Sequence, residues 1–581
     1  MTASTSPASA DVLPAAFPAF TKAQKVFTML GALLGVLLAA LDQTIVATAG
    51  PAIQADLHIP ASLYPWLTTS YLVASTMMVP VWGKLSDLAG RRAVLAAGIL
   101  VFLAGSFLCG VATSTLALIV FRAVQGLGSA ALFTAALAVV ADLFEPRERG
   151  KYQGLFGAVF GLSSVVGPLA GGFITDHLGW HWVFFINLPV GAVALALVLL
   201  RMPKLRPHGG RGRLDLPGAG ALALAVVPLL LALSLGQNGE GAWAWSSWRI
   251  LGLFALAGVA TVLFIRLEAR AHEPLLDLRL FRLRAFSAGN AAVFVIGAVF
   301  LSGVVFLPLF MVNVVGLSAT RSGLTIMPLT LGVVAGNVLS GQLVSKLGRF
   351  KALMLGSLVL LMVGFTVMGF TLTPDSTQAE VTAKMVLVGL GLGPSIPLYT
   401  LAIQNSVPPQ RIGVATSAAT FFRQLGMTMG VALLGTVFAA TLSRELATRL
   451  PAATQGLPAS VRAQVAVAAP GTSGEDGPVG AVFEPEAVKV RLRAEFEAER
   501  QRLAAGREAA SELARVQAEE QRALEAVDRA HLAVKESFTH GVSAVYRVAI
   551  LIALLALLVT FFLPEQPMRR RGQGSAPAPM D

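Results

Sequence analysis

The chain has 581 residues, 55% of them hydrophobic and only 13% charged, with a mean hydropathy of +0.71. Soluble domains carry about 25% charged residues, so a soluble globular protein is excluded and a multi-span membrane protein is implied. The formal charge of +12 lies between apolar runs rather than on one soluble face, which argues against nucleic acid and for contact with anionic membrane lipids. A lone cysteine, Cys109, excludes an internal disulfide and makes a cysteine metal cluster implausible.

Residues 1–25 lack a basic start followed by an apolar core, so they read as a disordered cytoplasmic tail rather than a signal peptide. Apolar runs then occur at 27–49, 62–82, 93–111, 115–141, 152–174, 181–201, 214–236, 248–267, 286–312, 321–344, 351–371, 381–404, 413–440 and 541–564. Each has about 20 or more residues, enough to cross a hydrocarbon core of about 30 Å. The expected fold is an all-α polytopic membrane protein with fourteen transmembrane helices. Two pseudo-symmetric six-helix bundles, 26–202 and 281–440 plus 541–564, flank two extra central helices within 203–280. A helical extracytoplasmic insertion at 441–540 and a cytoplasmic tail at 565–581 complete it.

Alternate short loops carry the basic residues, among them Lys84, Arg91 and Arg92; Arg147, Arg149 and Lys151; and Lys346, Arg349 and Lys351. The positive-inside rule then puts both termini in the cytoplasm, as in the inner membrane of a bacterium. GKLSDLAGRR at 83–92 recurs in reduced form as GQLVSKLGRF at 341–350, and QGLG at 125–128 as VGLG at 388–391, as expected of two halves rocking about a midplane site. The second copies have Ser345 for Asp87 and Met385 for Arg122, which concentrates ionisable chemistry in the first half. Within the insertion, 451–484 reads as a loose linker and 485–536 as a helical stalk or hairpin joined to the last span, with Gly506 as its break. Such a segment would suit an extracytoplasmic protein partner.

Two residues organise the rest. Arg122 lies inside the run 121–142, where a cation costs roughly 2.5–3.5 kcal/mol on insertion scales and seeks a partner within the bundle. Asp42 is the carboxylate placed deep in another run, at a matching depth, and Gln125 stands one turn from Arg122. The pair reads either as a proton relay or as a static ion pair fixing helix packing. In Gly83–Arg92, the glycines Gly83 and Gly90 permit close approach, while Asp87 can pair with Arg91 near another helix's N-terminus; Arg92 completes the loop's charge. This is either a conformational latch or a plain positive-inside loop. Gly157, Gly161, Gly167, Pro168, Gly171 and Gly172 give the fifth span a small-residue face suited to close helix contact. Asn290, Asn337, Tyr399 and Gln404 either touch a substrate or make packing hydrogen bonds, and Arg423 either lines a cavity or snorkels to the surface.

These residues carry a family resemblance. Gly83–Arg92 resembles the loop signature of the major facilitator superfamily, and Arg122, Gln125, Gly126 and Gly128 resemble its span-4 motif, whose arginine is implicated in proton transfer. Gly167, Pro168, Gly171 and Gly172 resemble the span-5 motif typical of antiporters. Leu41–Val46 with Pro51 is similar to the span-1 motif of the fourteen-span drug:proton antiporters, and Trp182, Phe184, Phe185, Asn187, Pro189 and Gly191 to its span-6 signature. The resemblance covers about 27–440 and 541–564. It implies a proton-coupled exporter of hydrophobic or amphiphilic compounds, with protons as coupling ion and no cofactor. The chain departs from it in lacking acids in the second-half spans and in its long insertion.

Other motifs fail. GLGSAA at 126–131 lies inside a span rather than after a strand, so it is no dinucleotide fingerprint; no G-x-x-x-x-G-K-[ST] occurs, which argues against an ATP-driven pump. His177 and His181 lack a third ligand, so no metal site and no enzymatic centre is expected. The rival readings are a nutrient facilitator or symporter, a dedicated lipid, glycolipid, siderophore or metabolite exporter, and a non-transporting scaffold that displays the outer helix.

Overall fold

Backbone N–H and C=O groups in hydrocarbon must be satisfied within their own segment, so a chain this apolar is forced into helices. The computed structural model describes residues 20–59, 63–64, 66–203, 214–236, 243–300, 302–317, 326–408, 411–457, 462, 485–505 and 510–565, and no β-strand occurs among them. The first half comprises α1 (Lys22–Asp56), α2 (Trp66–Ala89), α3 (Arg91–Gly110), α4 (Thr115–Leu143), α5 (Pro146–Leu178), the short α6 (Trp182–Phe185) and α7 (Asn187–Arg201). The extra pair is α8 (Leu216–Leu235) and α9 (Trp248–Arg270). The second half runs through α10 (Arg284–Phe300), α11 (Ser302–Asn313), α12 (Ile326–Leu347), α13 (Lys351–Thr371), α14 (Gln378–Leu392), α15 (Ser395–Asn405) and α16 (Ile412–Ala453). Two further helices, α17 (Pro485–Ala505) and α18 (Ala510–Phe561), follow.

Among the described residues, 13 helical segments are long and apolar enough to cross a membrane. The expected run at 62–82 is the one that falls outside that set. Its helix α2 is diluted by Thr68, Thr69, Ser70, Ser75 and Thr76 and ends in Lys84 and Asp87, yet it packs against α4 and α16 like its neighbours. Several starts are written locally. Thr21 and Gln24 form a capping box on α1, and Ser114, Asp215 and Ser247 accept backbone N–H groups at the starts of α4, α8 and α9. Pro394, which cannot donate to a helix ladder, stands at the break between α14 and α15.

Helix α4 is the centre of the first half, wedged between α2 and α3. A Cβ at Gly126 would sit 2.3 Å from the Tyr71 carbonyl of α2, and one at Gly128 only 2.3 Å from the Phe102 backbone nitrogen of α3. Backbone atoms cannot rotate away, so Gly128→Val is expected to force the α3–α4 seam apart. A cost of about 1–3 kcal/mol or more follows from overpacking, read as a lower Tm of the purified protein in micelles; an unchanged Tm would show that the seam has slack. The extra helices α8 and α9 pair with each other, and α8 rests on both α2 and α16, at the seam between the halves.

Helices α16 and α18 outrun their apolar stretches at the end opposite the basic loops. There α17 lies antiparallel to the start of α18, held by Arg500 with Glu520 (3.0 Å) and Lys489 with Asp528 (2.6 Å), over a fully buried Leu492. Arg449 of α16 pairs with Glu536 of α18, and Arg529 donates to the Gln455 carbonyl (3.1 Å). The helical insertion is therefore a hairpin continuous with the last span. Of the expected disordered tail 1–25, Lys22–Lys25 already belong to α1, opened by the Thr21 cap; residues 1–19, residues 566–581 of the expected tail 565–581, the expected break at Gly506 and most of the linker 451–484 lie outside the described residues.

Candidate functional site

Asp42 of α1 and Gln125 of α4 are 0% exposed and Arg122 is 1% exposed, so their charges and dipoles answer one another rather than water. Arg122 Nη1 donates to Asp42 Oδ2 at 2.6 Å and to Gln125 Oε1 at 2.7 Å. The opposite oxygen, Asp42 Oδ1, accepts from Gln125 Nε2 (2.8 Å) and from Asn187 Nδ2 (3.1 Å) of α7. Arg122 Nε donates to the Leu67 carbonyl (3.0 Å), and its guanidinium lies 4.5 Å from the Tyr71 ring centre and 5.9 Å from that of Phe184. Spacing explains the convergence: Arg122 and Gln125 are three apart on α4 and share a face, while the break between α6 and α7 begins the last helix of this half at Asn187.

Around this core stand residues that sequence reasoning missed. Ser106 Oγ accepts from Asn187 Nδ2 (3.0 Å) and donates to the Phe184 carbonyl (2.8 Å); Tyr71 donates to Ser129 Oγ (2.6 Å); Cys109 Sγ lies 3.8 Å from Gln125 Oε1. Asn187 Oδ1 is buried without a partner among the described residues, beside the carboxylate. Of these, Asn187 belongs to the span-6 signature and is an amide inside an apolar run, but neither feature marks it as a partner of Asp42. What the arrangement can do chemically is limited and specific. A carboxylate saturated by donors loses the Arg122 ion pair when it takes up a proton, because a neutral acid offers that cation no charge.

A second cluster lies at the end of the bundle that carries the basic loops. Asp87 Oδ1 accepts from Arg91 Nη1 (2.6 Å), and Asp87 Oδ2 accepts from the Val414 backbone N–H (3.0 Å) in the first turn of α16. Arg91 also pairs with Asp142 (2.8 Å) and donates to Ser86 Oγ (2.9 Å). The carboxylate of the first half thus sits at the positive end of a second-half helix. Close approach requires the glycines: a Cβ at Gly83 would lie 2.2 Å from Ser417 Oγ, and one at Gly413 only 2.1 Å from Asp87 Oδ1. Gly90 adopts φ 90° between α2 and α3, a left-handed conformation that side-chain-bearing residues rarely take. Arg92 stands apart from this contact; it donates to the Met202 carbonyl (3.2 Å) and to that of Leu199, within the first half. The segment after α9 adds two ion pairs, Glu273 with Lys84 and Asp277 with Arg411.

The small residues of α5 face two ways. Gly157 and Gly161 meet Asn337 and Val334 of α12, whereas Gly167 and Gly171 meet Thr44 and Ile45 of α1; Thr44 donates to the Ser163 carbonyl (3.0 Å), ahead of Pro168. A Cβ at Gly172 would meet nothing within 4 Å, so this glycine makes no close helix contact. Among the other polar residues, Tyr399 is hydrogen-bonded to Thr560 (2.5 Å), Gln404 donates to Thr416 (2.9 Å) and accepts from Gln153 (3.2 Å), and Asn290 donates to the Phe286 carbonyl (2.8 Å). These contacts are intramolecular packing. Among the described residues, neither amide atom of Asn337 has a hydrogen-bond partner, and Arg423 is half-buried with no hydrogen bond or ion pair.

With this geometry in view, comparisons with known proteins narrow the reading. Residues 32–431 match the family model for the Major Facilitator Superfamily. The chain is 39% identical to the multidrug transporter protein MdtP of Bacillus subtilis, over 81% of this chain and 85% of that one. It is 33% identical to the tetracenomycin C resistance and export protein of Streptomyces glaucescens, over 71% and 76% of the two. Among solved structures, the proton:xylose symporter XylE superposes with a TM-score of 0.53 at 15% identity, covering 74% of this chain and 91% of that one. At that identity the likeness shows the fold alone.

Proposed function

The chain belongs to the Major Facilitator Superfamily, and from that premise we propose that it is a proton-coupled exporter of hydrophobic and amphiphilic compounds, working by alternating access. The observation that carries this reading is Asp42, a fully buried carboxylate held by Arg122, Gln125 and Asn187. Two relatives that are 39% identical to this chain over most of their own length are named a multidrug transporter protein and a multidrug resistance protein, which supports export. Both termini are assigned to the cytoplasm and the protein to the inner membrane of a bacterium, so the basic end is the cytoplasmic one.

The state described is then closed toward the cytoplasm, with Asp87 docked on the start of α16. A proton from outside binds Asp42, cancels its charge and releases Arg122 and Gln125. Rotation of the Asn187 amide offers its unpaired Oδ1 to the new O–H. Loss of the ion pair loosens α1 against α4, the Asp87 contact breaks, and the cavity opens inward. Cargo entering from the cytoplasm or inner leaflet displaces the proton and restores the ion pair. The Gly167 and Gly171 contacts of α5 with α1 seal the proton path during the turn. No covalent chemistry is involved. The outer hairpin, tied to α16 and α18, offers 485–536 to an extracytoplasmic protein partner.

Energised everted vesicles carrying the protein test this. They are expected to take ethidium or N-phenylnaphthylamine into the lumen, alkalinise it in proportion, and lose both signals on addition of a protonophore. Uptake that survives the protonophore and requires ATP would remove the coupling claim.

A further inference from the structure

Burying a cation inside a membrane protein is costly unless a partner answers it, and other arginines within the helices have one: Arg122 has Asp42, Arg91 has Asp87 and Asp142, and Arg547 has the Gly369 carbonyl and the Phe370 ring. Arg423 has none among the described residues. No carboxylate can be supplied locally, because the second-half runs 286–312, 321–344, 351–371, 381–404, 413–440 and 541–564 contain no Asp or Glu. Snorkelling does not rescue it either. Arg423 lies about three helical turns, roughly 16 Å, into α16 from Ile412, near the middle of the bilayer.

The neighbours of α16 define where this charge points. Ser417 abuts Gly83 of α2, Thr416 accepts from Gln404 of α15, and a Cβ at Gly426 or Gly430 would lie 2.0 Å from the Phe294 or Ala298 carbonyl of α10. Arg423 follows two turns beyond Thr416 and two turns before Gly430 on nearly the same stripe, and its backbone carbonyl abuts Gly297 of α10, so it stands on the face that α16 turns to α10 and α15. It keeps part of its surface open, as do Phe422, Gln424 and Leu425 around it, and a cation at that depth faces a bundle interior or a water-filled cavity rather than lipid. Beside it runs a chain of aromatic rings, Phe421 to Phe422 (5.4 Å), Phe422 to Phe281 (5.9 Å) and Phe281 to Phe286 (5.0 Å).

We infer that Arg423 is an anion-recognition residue of the cargo cavity, selecting amphiphiles that carry a carboxylate, sulfonate, phosphate or phenolate on an apolar or aromatic frame. The guanidinium fork suits such oxyanions, and the rings suit the frame. The missing counter-ion is the cargo itself, which arrives, is moved, and leaves. This deepens, and rests on, the export reading given above.

The test uses two probes that share one aromatic frame, anilinonaphthalene sulfonate and the uncharged N-phenylnaphthylamine. Binding is measured on the full-length protein in nanodiscs of phosphatidylcholine. Arg423→Gln is expected to weaken the sulfonate by about tenfold or more, with the uncharged probe changed by less than about twofold, and Arg423→Lys to recover part of the loss. Equal losses for both probes, or no loss for either, would overturn the inference. The uncharged probe also reports whether the variants remain folded. Repeating the titration with phosphatidylglycerol separates the anion's source: competition that disappears in Arg423→Gln identifies a lipid headgroup, and absence of competition identifies a diffusing solute. Both outcomes keep the site. Vesicle uptake of N-phenylnaphthylamine separates the two claims. Uptake without Arg423-dependent discrimination sinks this inference alone, whereas discrimination without proton-driven uptake sinks the export reading alone.

Discussion

Asp42→Asn is expected to lower proton-driven uptake of ethidium or N-phenylnaphthylamine into everted vesicles by about a hundredfold or more. Asparagine keeps the shape and can still accept from Arg122, but an amide nitrogen in place of Oδ1 would face the Gln125 and Asn187 donors, and the residue cannot take up a proton at neutral pH. It also leaves Arg122 without a counter-charge in a fully enclosed place, an imbalance worth roughly 3–5 kcal/mol when a buried ion pair is broken. That cost falls on the state in which the pair is closed, so the conformational cycle stalls as well as the coupling. Counterflow of labelled against unlabelled cargo needs no net proton movement and should survive better than uphill uptake. Retention of gradient-driven accumulation by Asp42→Asn would mean that the proton travels elsewhere.

The second large effect is expected at the other end of the bundle. Asp87→Asn removes the charge from the acceptor that receives the Val414 N–H, and Arg91 keeps Asp142 as a partner, so the change acts chiefly on the contact between halves. A hydrogen bond to a charged group is worth about 1.5–3 kcal/mol, which shifts the balance between closed and open states by about tenfold or more. Spin labels on cysteines placed at Ala89 and Leu347, exposed positions at that end in opposite halves, would report it. Cys109 is buried and does not compete for label. The distance distribution should lengthen in Asp87→Asn. An unchanged distribution would show that Glu273–Lys84 and Asp277–Arg411 hold the end shut unaided.

Much of this molecule is legible in its sequence because the bilayer leaves few choices. Helices follow from apolar length, and Asp42 and Arg122 declare each other because charges at matching depth have nowhere else to turn. Asp87 was readable as a group for a helix N-terminus, although only tertiary structure names α16 as that helix. Asn187, Ser106 and Tyr71 were harder. Uncharged polar residues in a span bond to neighbours as often as to anything functional, and no spacing rule links α7 to α1. Tyr399 and Gln404 illustrate the reverse case, since their obvious polarity is spent on Thr560 and on Thr416 and Gln153. Gly172 shows that a glycine pattern marks possible contact faces without saying which positions are used. The outer hairpin follows from helix-forming composition, but its tie to α16 through Arg449 depends on a chain reversal that local sequence does not encode.

The central claim is that cargo and proton compete through Asp42, and proton release measures this most directly. Purified protein in weakly buffered micelles, titrated with N-phenylnaphthylamine, is expected to release about one proton per bound molecule, and by linkage to bind it less tightly as pH falls. Asp42→Asn is expected to bind with no release and no pH dependence. Equal release from wild type and Asp42→Asn would contradict the account, because the exchanged proton would then reside on another group.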